Sequence, residues 1–304
     1  MKRYYYTLIL CFLFLSCNNE TKQSDLPEIS VDIDNITSQL LLSDFAESIT
    51  SVELELTDES LIHPGRLMRI ILTEEKIFIA QRENIIVFDK TGNFIRSIGS
   101  KGQGPGEYIS IQNMTVDEKN KRLFVNSATK IICYDFNGNV LKDHSVFQSN
   151  NYGNQIHDIN YINNELLAVV WTVGEDDEHG IFNQAQVYRM DNEFQITDSC
   201  SIMKKYGVTS TSFNNSLTHI LLALNSAVYV CYPFSDAISP MHRDMIRTRI
   251  KGPLTTFMQD TIFRLENSQL VPELKLKFKN DGIDMGNELF IYPVFFFAVH
   301  DMFL

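Results

Sequence analysis

Glycine and proline are scarce, at 14 and 8 in 304 residues, and tryptophan occurs once. With 44% of its residues hydrophobic, the chain is neither disordered nor a fibrous repeat, and the composition suits a packed globular domain. There is no basic block. Lys and Arg number 26 against 38 Asp and Glu, a formal charge of −12. Binding a phosphate backbone needs clustered cations, so nucleic acid is excluded as a partner. The same sign excludes adsorption to anionic lipid headgroups. Apolar runs are short, and the longest, Tyr4 to Leu15, falls well below the ~20 residues of a membrane-spanning helix. No 3.6-residue period links these runs. The signatures G-x-S-x-G and H-E-x-x-H are missing, as is any paired-cysteine motif.

What is present begins with an address. Lys2 and Arg3 precede the apolar run, which ends at Ser16-Cys17. A positive start, a short apolar core and a small residue before a cleavage point describe a secretory signal over residues 1–16. The Cys directly after Leu15-Ser16 makes the segment resemble a bacterial lipoprotein signal, although Phe14 stands where Leu is usual. That resemblance implies lipidation of Cys17 and attachment to a membrane through acyl chains. The polar stretch beyond it reads as a tether, residues 17–37. Of the five Cys, Cys11 leaves with the signal and Cys17 is the anchor. Cys133, Cys200 and Cys231 are widely spaced, show no zinc pattern, and are expected as buried free thiols.

The body of the chain repeats. Lys76 to Phe94, KIFIAQRENIIVFDKTGNF, aligns with Arg122 to Val140, RLFVNSATKIICYDFNGNV, at an offset of 46 with six of nineteen positions identical. Each copy holds two short runs rich in β-branched and aromatic residues, then a D-x-x-G-N turn and a third run. Asp opens a tight turn and Gly supplies the positive φ that closes it. A unit of 40 to 50 residues built of about four strands is the signature of a β-propeller blade. The chain therefore reads as all-β, a propeller over residues 38–304. Blades are expected near 66–98, 110–147, 155–200 and 216–278, with a partial fifth at 287–304 and an insertion at 233–258. In the third blade the outer strands are expected at Gln186 to Arg189 and Phe194 to Thr197. Six blades of this length would need more sequence than follows Arg66, so the chain is expected to be truncated at its C-terminus.

Three blocks carry a family resemblance: Leu40 to Ile62, Arg96 to Tyr108 (RSIGSKGQGPGEY) and Gln259 to Leu274. They resemble the six-bladed β-propeller lipoproteins of Bacteroidota, distant relatives of the NHL-repeat propellers. The resemblance implies a secreted, lipid-anchored propeller of the outer membrane, exposed to the periplasm or the cell surface, in a family whose members mostly have no assigned activity. The Gly-rich block itself resembles a phosphate cradle only superficially, because Pro105-Gly106-Glu107 opens a strand where a P-loop needs a helix. A connection between two blades is the expectation, with Glu107 accepting backbone N–H bonds.

Candidate binding residues come from aligning the blades on their second strands. Arg66, Gln112, His157 and His219 then coincide at the starts of the inner strands, with Asn113 and Asp158 beside them. Inner strands line a propeller's channel, and polar side chains at their ends line its mouth, where a ligand is gripped. No cofactor or metal is expected, although two His and an Asp leave room for a divalent cation. Polar lining of a solvated funnel explains the same residues without a ligand. Glu175 to Glu178 reads as a solvated hairpin tip, and Trp171 as a buried strand residue. The composite reading is a non-catalytic envelope module that binds a glycan or protein partner. Its rivals are a metal-dependent lyase or hydrolase at the channel mouth, and a fragment of a longer propeller.

Overall fold

The computed structural model describes residues 26–31, 41, 47–127, 129–147, 154–206, 221–224, 227–230 and 261–278. A short strand β1 (Glu28–Val31) comes first. Blade I follows with β2 (Leu67–Leu72), β3 (Lys76–Gln81), β4 (Ile85–Asp89) and β5 (Phe94–Ile98). Two-residue strands β6 (Ser100–Lys101) and β7 (Glu107–Tyr108) bridge to blade II, made of β8 (Asn113–Asp117), β9 (Arg122–Ser127), β10 (Lys130–Asp135) and β11 (Val140–Ser145). Blade III holds β12 (Gln155–Ile162), β13 (Glu165–Asp176), β14 (Gly180–Met190) and β15 (Ile196–Tyr206). Blade IV holds β16 (Leu221–Leu224), β17 (Ala227–Val230), β18 (Thr261–Glu266) and β19 (Gln269–Phe278). Within each blade the strands pair antiparallel in chain order. Among the described residues the one helical element is the 3-10 turn Pro64–Arg66, and no helix is long and apolar enough to cross a membrane.

The middle strands of blades I and II are buried on both faces, because blade II packs between blades I and III and blade I packs between blade II and the preceding segment around Leu54 and Ile62. Phe78, Val87 and Ile98 of blade I meet Met114, Val125 and Tyr134 of blade II. Phe124 and Ile131 of blade II meet Ile156, Ala168 and Met190 of blade III. Leu167, Val169 and Trp171 of blade III meet Leu221, Val228 and Leu265 of blade IV. This is why KIFIAQ and RLFVNS lack the in-out alternation of a half-buried strand. Outer strands such as β11 stay largely exposed and carry charge. Burying one Phe or Ile here contributes ~1.5–3 kcal/mol. The inner strands follow one another around the axis, β8 against β2 and β12, and β12 against β16. The fold is a β-propeller arrangement of four-stranded blades.

The D-x-x-G-N turns do what their residues dictate. Asp89 accepts the backbone N–H groups of Thr91 at 2.8 Å and Asn93 at 3.0 Å. Bonds from the Thr91 and Asn93 side chains, with these, hold its carboxyl down to about 2. Asp135 repeats the pattern with Asn137 and Asn139 at 2.8 and 2.9 Å. A third copy, hidden in the sequence, has Asp191 accepting from Glu193 and Gln195 at 2.8 and 2.9 Å, with Phe194 at φ 60° in the glycine position. Gly92 is required where it stands: at φ +92° a Cβ would lie 1.9 Å from the Glu53 carbonyl oxygen.

Several expectations need correction. The segment 17–37 is not all tether, because β1 pairs in parallel with the outer edge of β19, with Lys275 N–H donating to Pro27 O at 2.9 Å. A segment that precedes the first blade in sequence is thereby fixed to the rim of the fourth. The outer strands of blade III also differ from the runs Gln186 to Arg189 and Phe194 to Thr197: β14 and β15 are longer, beside a β13 that continues to Asp176, and β15 begins at Ile196, with Phe194 in the turn before it. The partial fifth blade at 287–304 and the insertion at 233–258 lie outside the described residues. Cys133 and Cys200 are buried free thiols; Cys231 lies outside the described residues.

Candidate site at the starts of the inner strands

A bulge opens two of the inner strands. In β2 the register jumps from Leu67 opposite Gln81 to Arg69 opposite Ala80, and in β12 from Ile156 opposite Val170 to Asp158 opposite Val169. The extra residue re-aims the side chain that follows it. As a result Arg69 and Asp158 converge on Asn113, which opens β8. Arg69 Nη1 donates to Asn113 Oδ1 at 3.0 Å and lies 3.8 Å from Asp158 Oδ1. Asn113 Nδ2 donates to Asp158 Oδ1, and the Leu221 backbone N–H donates to Asp158 Oδ2 at 2.9 Å. One polar chain thus ties the inner strands of all four described blades, through residues 44, 45 and 63 positions apart.

The chain is buried. Asp158 is 1% exposed and Asn113 4%. Burial lowers the hold of Arg69 on its proton, and the Asp158 charge works against that loss. A second tie lies behind the first: Asn126, paired with Asn113 across β8 and β9, donates through Nδ2 to Ile156 O at 2.7 Å. Its Oδ1 is the one buried side-chain oxygen or nitrogen among the described residues without a hydrogen-bond partner. Thr115 Oγ1 adds a third link by accepting the Tyr161 N–H at 3.0 Å.

Of the residues the sequence singled out, Asn113 and Asp158 are brought together, and His157 is their neighbour. The His157 ring meets Trp171 edge to face at 6.5 Å between centroids. Burial pushes its imidazole below the ordinary range, and Asp158 offsets part of the shift. Gln112 is half-buried, and its backbone N–H donates to Asn126 O at 3.0 Å. Arg66 is elsewhere. It ends the 3-10 turn and pairs with Glu83 at 3.2 Å, where both side chains are open to solvent. With His63, Asp58, Glu59 and Glu83 it lines a surface recess of about 270 Å³. His219 lies outside the described residues. No group of three His, Cys, Asp or Glu side chains converges among the described residues.

Arg69 was missed for a traceable reason. The β2–β3 turn closes at Thr73 and Lys76, while its counterpart in blade II closes at Asp117 and Arg122, two residues wider. An ungapped offset of 46 therefore overshoots the inner strand of blade I and lands short of the true counterpart of Asn113. A gap placed at the turn would have found it.

The remaining motifs are structural. No helix follows the Gly-rich block, in which the Gly104 N–H donates to Glu107 Oε2 at 2.8 Å and Lys130 Nζ donates to the Glu107 carbonyl at 2.9 Å. Trp171 is 7% exposed and belongs to the core between blades III and IV. The acidic segment closes a hairpin at Asp176 opposite Gly180, with His179 Nε2 3.7 Å from Glu178 Oε1.

Comparison with known proteins agrees with the fold. A Bacteroides fragilis protein described as exported superposes with a TM-score of 0.56 at 18% identity, over 83% of this chain and 60% of its own. The chain thus spans less than two thirds of that protein. The WD40 domain of Neurospora crassa Pan2 superposes at 0.41 and 14% identity, over 68% of this chain and 51% of its own. The WD40 propeller domain of Doa1 does so at 0.33 and 10%, over 71% and 83%. No curated protein matches the sequence. Residues 26–291, which include the four described blades and the rim strand β1, match the family described as Domain of unknown function (DUF4934), and to that family the chain belongs.

Proposed function

We propose that the protein is a non-catalytic binding module of the cell envelope, held at the outer membrane by acyl chains on Cys17, whose partner is a glycan or another envelope protein. One observation carries this reading. The polar groups at the inner-strand starts, where a propeller enzyme would hold its chemistry, are spent on one another: Arg69 on Asn113, Asn113 on Asp158, Asp158 on Leu221. A carboxylate engaged on both oxygens serves packing better than proton transfer. The secretory signal and Ser16-Cys17 support the address, and the B. fragilis protein described as exported is consistent with it. The six-bladed, NHL-like count belongs to the same reading, and electron-microscopy averages viewed down the axis would count the blades.

Two experiments test it. Mass spectrometry of the envelope-extracted protein is expected to find an acylated N-terminal Cys17, and Cys17→Ser is expected to release the chain from membranes. The full-length protein is then assayed against arrayed envelope polysaccharides, with and without a chelator. Saturable retention that survives chelation, with the polysaccharide intact, is the expected result. Chelator-sensitive cleavage that stops in His157→Ala would replace this reading with the lyase or hydrolase.

A further inference from the structure

At the opposite end of the strands from Asp158, blades III and IV part to leave a cleft of about 210 Å³. Its floor is apolar, formed by Leu167, Val228 and Leu265, all part of the core between the two blades. Its walls are polar. From blade III, Arg189 Nη1 is bonded to Glu165 Oε2. From blade IV, Arg264 Nη1 lies 2.5 Å from Glu266 Oε1, and Arg264 Nε donates to Glu273 Oε2 at 3.0 Å. Glu273 stands outside the cleft, and the four charged side chains that line it, Glu165, Arg189, Arg264 and Glu266, cancel to zero; all four are partly open, from 21% for Arg189 to 47% for Glu165.

We propose that this cleft binds one ring of a neutral sugar, its hydroxyls bridging the Glu165–Arg189 and Arg264–Glu266 pairs and its C–H face resting on Leu167 and Val228. The proposal rests on the reading of the protein as a binding module and adds a ligand class and a place. The chemistry selects for neutrality. A phosphate or uronate would face Glu165 and Glu266, and an aminosugar cation would face Arg189 and Arg264. A hydroxyl satisfies both partners of each pair at once, donating to carboxylate and accepting from guanidinium. Each guanidinium is already braced by its carboxylate, so little side-chain freedom is lost on binding. The cleft holds one ring with an apolar floor and no aromatic platform, so binding of a single ring is expected in the millimolar range.

The test uses the full-length protein in detergent and methyl glucoside, galactoside and mannoside as probes, followed by NMR titration with methyl glucuronide and glucosamine as charged controls. At least one neutral hexoside is expected to saturate, with affinity reduced tenfold or more in Arg264→Met. Ala227→Leu is expected to do the same by filling the cleft while leaving both ion pairs in place, and unchanged thermal melting separates lost binding from lost folding. Three results would overturn the proposal: no neutral hexoside binding, tighter binding of the glucuronide or glucosamine, or hexoside binding unchanged by both variants. In the last case shifts near Trp171 and His157 would keep the binding-module reading while discarding this cleft. Cleavage of the methyl glycosides would instead discard the reading itself.

Discussion

Replacing Asp158 with Ala should damage the protein far from any ligand. The carboxylate accepts the Asn113 amide and the Leu221 N–H and faces the Arg69 guanidinium, all within a region where Asp158 is 1% exposed. Its removal takes a counter-charge from the buried Arg69 and an acceptor from each of two donors. Breaking a buried pair from one side costs about 3–5 kcal/mol. For a domain of this size each kcal/mol moves Tm by roughly 2–4 °C, so a fall on the order of 10 °C is expected. Asp158→Asn keeps an acceptor for Leu221 and should cost less, about 1–3 kcal/mol. In Arg69→Met/Asp158→Ala the uncompensated charge is gone, so the double variant should be more stable than the sum of the single losses predicts. Equilibrium unfolding followed by Trp171 fluorescence suits the test, because this single tryptophan sits beside His157 in the core of blades III and IV. An Asp158→Ala midpoint within error of wild type, or strict additivity in the cycle, would refute the account of the polar chain as the tie between blades.

Other outcomes follow from the same geometry. Asp89, with its carboxyl held down to about 2 in the folded state against about 3.9 when unfolded, contributes stability above pH 4 that disappears as pH falls through 2. The acid limb of a pH–stability curve should therefore flatten between those values in Asp89→Asn. Burial pushes the Cys133 thiol up to about 11 and leaves it 3% exposed, so peptide mapping at pH 8 should find it unlabelled by a maleimide until the chain is unfolded. Gly92→Ala should cost about 1–3 kcal/mol in urea unfolding, because φ is +92° and the new Cβ meets the Glu53 carbonyl. Gly65→Ala, whose new Cβ would have no atom within 4 Å, should stay within about 0.5 kcal/mol of wild type.

Much of the blade architecture was legible. KIFIAQ and RLFVNS announce strands buried on both sides, and the Asp89 and Asp135 turns announce where those strands reverse. The third turn was expected between its strands, but its kinship with the other two was hidden, because Phe194 adopts the left-handed conformation that glycine usually supplies and so breaks the D-x-x-G pattern while its hydrogen bonds survive. The candidate site was half legible. Asn113 and Asp158 were found because they stand beside Gln112 and His157, which the alignment of the blades brings into coincidence. Arg69 was passed over because turn length sets strand register, and an ungapped alignment assumes equal turns. The rim strand β1 gave no warning: EISV is four residues long, and its partner lies almost the whole chain away.

Local chemistry, then, determined most of the blade strands, the turns at Asp89 and Asp135, that the fold is all-β, and that Cys133 and Cys200 are buried. Those outcomes depend on a residue and its near neighbours, so the order of amino acids is enough to read them. Only the tertiary structure decided that Arg69, Asn113 and Asp158 form one buried chain across the blades, that Arg66 stands apart on the surface, and that Arg189 and Arg264 face one another across a cleft. Each of those facts depends on strand register and on the packing of one blade against the next, and a one-residue bulge is enough to change which side chains meet.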